Sequence, residues 1–167
     1  MPNPDRHRIA AALAALALVA VPTGAKTHPA VSQVDRATAQ LFAPDASPAR
    51  IQAGLQSLLA AITETASGLS LPGEFTDKLA QARRGQAADA KIPSLLQECY
   101  RLVHRGTPYH LPDSIHDMPG AMDYMRSRIA AGRELLLKGQ AEEGLRALLD
   151  AAVLMVTPFH AGEPPAR

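Results

Sequence analysis

Between His104 and Met125 the sequence crowds together residue types that hold metal ions: His104, Tyr109, His110, Asp113, His116, Asp117, Met118, Met122 and Met125. Soft thioether sulfur suits Cu(I) and imidazole suits either copper state, so the chemistry this stretch points to is copper binding. His104, His110, His116, Met118 and Met122 are the candidate ligands, with His160 near the chain end as a sixth. A plainer reading stands beside it. Met122 and Met125 also fit the apolar face of a helix, and His110 and His116 fall in a loop, where polar residues are expected. No His-x-x-x-His pair gives the tight spacing of a helical metal site.

His160 raises a second cofactor. A methionine on one helix of a bundle and a histidine near the chain end form the Met/His pair that can ligate haem iron. The stretch Val156-Thr157-Pro158-Phe159-His160 is similar in position to the haem-attachment sequence of exported c-type cytochromes of the bundle type. Val156 and Phe159 stand where the attaching cysteines would be, so covalent haem is excluded and only haem b, held without a covalent bond, fits. Catalytic signatures are missing. The chain has no Gly-x-Ser-x-Gly, no phosphate-binding glycine loop and no His-Glu-x-x-His, which points away from an enzyme.

The elements that must position these residues are helical. Asp117 is a good N-cap and Pro119 sits just inside, where its missing N–H is no loss. Met122, Met125, Ile129 and Leu136 then fall on one face of a helix over 118–138, which Gly139 stops. A second helix over 140–157 carries Glu142 and Glu143 in its first turn and a stripe of Leu145, Leu148, Leu149, Ala152, Val153 and Val156 before Pro158. The short connection makes the two an antiparallel hairpin.

That hairpin resembles one tetratricopeptide unit, with Gly132, Leu135, Gly139, Gly144, Leu148 and Ala151 at the spacings such a unit favours and Pro158 two residues late. The resemblance covers roughly one 34-residue repeat with no second copy at that period. Repeats are stable by stacking on neighbours, so a lone unit does not imply a peptide-binding solenoid.

Before the hairpin, Ser32 caps a short helix to about Phe42, and Ser47 with Pro48 opens a strong one whose buried face is Ile51, Leu55, Leu58, Leu59 and Ile62, ending at Gly68. Phe75, Leu79 and Ala82 suggest a short helix ending near Gly85. Ile92, Leu95, Leu96, Cys99, Leu102 and Val103 form another stripe that stops at Gly106. Pro93 either opens that helix or kinks a longer one beginning near Thr76. The expected fold is all-α, an up-and-down four-helix bundle with one or two short additional helices.

The first 25 residues read as a secretory signal peptide. Arg6, His7 and Arg8 precede an apolar run from Ile9 to Val21, and small residues lead to a cut after Ala25. The run is shorter than the roughly 20 residues of a membrane span. The 167 residues therefore divide into a cleaved 1–25, an N-terminal extension with a short helix over 26–46, a bundle domain over 47–158 and a tail over 159–167. Removing the leader takes two of the 17 basic and one of the 16 acidic residues, leaving 15 of each. That balance offers no basic face for nucleic acid and no pull toward an anionic membrane. Cys99 is the only cysteine, so no intramolecular disulfide forms, and its place in an apolar stripe reads as a buried thiol.

The expected function is a non-catalytic binding or structural module in the periplasm or outside the cell, with no integral membrane span in the mature chain. The alternatives are a copper- or haem b-binding bundle using the six His/Met candidates, and recognition of a protein partner through the C-terminal hairpin.

Overall fold

Two side-chain caps set the starts of the two longest helices. Ser47 Oγ accepts from the Arg50 N–H at 3.3 Å, and Asp117 Oδ1 accepts from the Gly120 N–H at 2.7 Å. In each case a proline occupies the first turn, where its missing donor leaves nothing unpaired. The computed structural model describes residues 26–45 and 47–157. Over these the chain is all-helical, with α1 (Ala30–Leu41), α2 (Pro48–Ser67), α3 (Gly73–Arg84), α4 (Ile92–Val103), α5 (Met118–Leu137) and α6 (Ala141–Val156). The segments read as leader and tail, with Pro158 and His160, lie outside the described residues.

Pro93 lies at the start of α4 rather than in the middle of a longer helix. The chain breaks at Gly85, whose N–H donates to Ala82 O, and resumes only after a turn in which the Asp89 N–H donates to Gln86 O. α5 stops as its glycine requires. Gly139 takes φ 75°, the Gln140 N–H reaches back to Leu135 O at 2.8 Å and the Gly139 N–H to Leu136 O at 3.1 Å, the paired bonds of a Schellman motif.

The helices pack as α1 on α2, α2 on α6, α6 on α5 and α5 on α1, a closed ring compatible with a four-helix bundle. The α3 and α4 pair packs outside this ring, α3 against α2 and α4 against α6. α1 buries Ala30, Val31, Val34, Ala37 and Leu41 in the same core as the longer helices. It is tied to α5 by a fork in which Arg133 donates to both carboxylate oxygens of Asp35, at 2.6 and 3.4 Å. Gln56 Nε2 donates to Gly85 O and Gln52 Oε1 accepts from the Ala87 N–H, so α2 holds the turn between α3 and α4.

α6 is the element every layer shares, since it meets α2, α4 and α5. Leu145, Leu148, Leu149, Ala152 and Val153 of its expected stripe are buried and Val156 is half-buried, while Ala147, Asp150, Ala151 and Leu154 are buried on the other sides. A helix covered on nearly every face is the centre of the fold rather than one wall of it. Among the described residues no helix is long and apolar enough to cross a membrane.

Candidate functional site

The six sequence candidates do not meet at one point. Met118 and Met122 line a groove at one end of the helical ring, whereas His104 caps the end of α4 and faces Asp150 on α6. His110 and His116 are exposed in the loop between α4 and α5, and His160 lies outside the described residues. Among the described residues, no group of three or more His, Cys, Asp or Glu side chains is arranged to hold a metal ion.

What the groove does gather is methionine. Met118, Met122 and Met125 follow one another at steps of four and three along α5, and Met155 reaches in from α6. Every methionine of the described residues is therefore at this opening, a cavity of about 230 Å³ completed by Leu41, Ile51, Ala121, Leu154 and Thr157. The four helix ends that meet here explain the location. α1 and α6 finish at the groove while α2 and α5 begin there, so apolar side chains from four elements converge where the bundle opens to solvent. Met125 is buried, but Met118 and Ile51 leave 55% and 39% of their surface exposed, two of the four large apolar residues so exposed among the described residues. The cavity is smaller than the roughly 300–1,000 Å³ of pockets for drug-sized ligands. Met122 and Met125 fall on the helix face that the sequence pattern marks and Met118 is a candidate ligand, whereas Met155, at the edge of the α6 stripe, carries no such signal.

A second cluster joins residues that lie far apart in the sequence. Asp150 is only 8% exposed, yet it lies in the run of apolar residues on α6. Arg128 on α5 donates to its Oδ2 at 2.5 Å, and His104 Nε2 stands 3.9 Å from Oδ1, too far for a hydrogen bond. The His104 ring stacks on Tyr100 with centroids 3.9 Å apart, and Tyr109 meets Tyr100 edge-on at 5.2 Å. Tyr124 on α5 also senses the Asp150 charge, as do Tyr100 and Tyr109.

Burial governs the protonation states here. It raises the Asp150 carboxyl, against the lowering pull of Arg128 and His104, and it lowers His104, with Asp150 acting the other way. Burial is also the first cause raising all three phenols, so each stays protonated at neutral pH. His104 Nε2, Tyr109 Oη, Arg128 Nε and Arg146 Nε are buried without a hydrogen-bond partner among the described residues. The depression beside the cluster is lined by Val103, His104, Arg105 and Arg146, not by Asp150. With its carboxylate engaged by Arg128 and no serine, threonine or cysteine in the group, the arrangement suits a clamp joining α4, α5, α6 and the loop between α4 and α5. The sequence signal that could have found it is an aspartate in an otherwise apolar helical run.

Cys99 is fully buried, its Sγ 3.8 Å from Phe75 O, and burial pushes its thiol up to about 12. No family model matches the chain, and neither a curated protein nor a solved structure does.

Proposed function

We propose that this protein works outside the cytoplasm as a non-catalytic helical binding module, and that its binding site is the methionine-lined groove. The observation that carries the reading is the gathering of four methionines from two helices at one apolar opening with a partly exposed rim. Methionine is flexible and polarisable, so such a surface adapts to a small occupant without strain. The export half of the proposal is supported by the basic-then-apolar pattern of residues 1–25 and the small residues before Lys26.

The Asp150 cluster supports the non-catalytic half, because its one buried carboxylate is neutralised by Arg128 and its imidazole is kept neutral by burial. Recognition of a large partner along the hairpin has less behind it. The exposed apolar residues Met118 and Leu137 stand at opposite ends of α5, which at 1.5 Å per residue separates them by about 28 Å.

Two measurements test the proposal. Mass analysis of protein isolated from outside the cytoplasm should find a chain beginning at Lys26; a full-length chain recovered only from cytoplasm would overturn export. Methyl NMR with labelled methionine should show Met122, Met125 and Met155 shifting on addition of a small apolar probe such as 1-hexanol. Shifts confined to other parts of the molecule would remove the groove as the site.

A further inference from the structure

We infer that the groove holds one soft monovalent metal ion, Cu(I) with Ag(I) as its analogue, through the thioether sulfurs of Met118, Met122, Met125 and Met155. The inference rests on the groove being the binding site and names the ligand class it takes.

Donor chemistry selects the ion. None of the groove's lining residues is a carboxylate or an imidazole, so hard and borderline divalent cations find no suitable ligand. Thioether sulfur is soft and uncharged, and it suits Cu(I). The one thiol of the chain does not compete, because Cys99 is fully buried and lies outside the groove.

Geometry permits convergence. Positions 118, 122 and 125 occupy one face over two turns of α5, and Met155 comes from the neighbouring helix α6. Long unbranched side chains with three rotatable bonds can turn their sulfurs toward a common centre. Met118 stands at the exposed rim and Met125, only 5% exposed, at the floor.

Electrostatics does not forbid the charge. The amide ends of α2 and α5 disfavour a cation, while the carbonyl ends of α1 and α6 at the same opening favour it. The exposed rim also leaves the ion near water rather than deep in the core, which limits the desolvation cost.

The site makes an unusual claim about pH. No lining residue titrates, so affinity should be flat from about pH 5 to 8, the interval in which an imidazole site would lose ligands to protons.

The test uses the full chain as exported, titrated with Cu(I) under reductant against a chromophoric competitor, and with Ag(I) while methionine methyl resonances are followed. One equivalent should bind, shifting the methyls of all four methionines. Met122→Leu with Met155→Leu keeps apolar volume and should weaken Cu(I) by at least about 100-fold, beyond the range of changes outside a coordination shell. His110→Ala with His116→Ala should leave affinity unchanged. Failure of the wild-type chain to bind Ag(I), unaltered affinity in the leucine variant, or loss in the histidine variant would each overturn the inference. If Ag(I) fails while 1-hexanol still shifts the groove methyls, the metal falls and the binding-module reading stands; if both fail, the groove itself is lost as a site.

Discussion

Gly132 on α5 and Gly144 on α6 face one another so closely that a Cβ added to either would stand 3.3 Å from the carbonyl oxygen of the other. The two backbones meet where no side chain intervenes, which lets α6 sink into the centre of the fold. Gly132→Ala would also put its methyl 2.7 Å from Leu148 Cδ2, and Leu148 is fully buried with little room to move. Gly144→Ala meets Leu136 at 3.1 Å, a milder conflict. Alanine gains about 1 kcal/mol of helix propensity and overpacking costs about 1–3 kcal/mol. Urea unfolding should therefore find Gly132→Ala less stable than wild type by about 1–2 kcal/mol, with Gly144→Ala closer to neutral. The reverse order would mean that the helices do not approach in this way.

Arg128 and Asp150 form the ion pair that permits a charge inside α6. Arg128→Met leaves the carboxylate buried and uncompensated except for a neutral His104, and should cost about 2–4 kcal/mol, below the fully buried range because Arg128 is partly exposed. Adding Asp150→Leu to that variant should recover most of the loss, since two apolar side chains then replace a desolvated pair. A double variant no more stable than Arg128→Met would show that the pair is not what the cluster depends on.

Acid should destabilise the protein through His104 first. Its folded pKa lies below the ordinary 6.5, so the unfolded chain takes up the proton more readily. The stability it contributes is complete above pH 6.5 and declines as pH falls from there through its lowered folded value. Asp150 acts in the opposite sense at lower pH, because its folded pKa is raised above 3.8 and the cost of its buried charge is relieved on protonation. Melting temperatures between pH 8 and 5 should fall less steeply in His104→Gln than in wild type; parallel slopes would count against the assignment.

Cys99 should be silent in the native protein. A thiol pushed up to about 12 and fully buried presents neither thiolate nor access, so a disulfide reagent should react only at the rate of opening. In denaturant one thiol should react at once. Immediate stoichiometric labelling of native protein would contradict the packing of α4 against α3.

The helices are legible in the amino-acid order because their signals are local. Asp117, Ser47, Pro48 and Gly139 act within a turn of where they stand, and the spacing of Leu55, Leu58, Leu59 and Ile62 reports a buried face whatever covers it. Two of the groove's four methionines, Met122 and Met125, are likewise legible as part of a helix stripe.

Which faces meet is a matter of packing between helices. Periodicity marks one apolar side per helix and carries no record of a second covering, so the α6 stripe gives one buried face, while Ala147 and Ala151, with weak hydrophobic signal, do not reveal that the helix is central. The candidates between His104 and Met125 are neighbours in sequence, yet the end of α4 turns His104 toward Asp150 while α5 carries Met118 and Met122 to Met155. Proximity along a chain survives only within one element; across a helix end, the rotation and pairing of helices settle which side chains share a site.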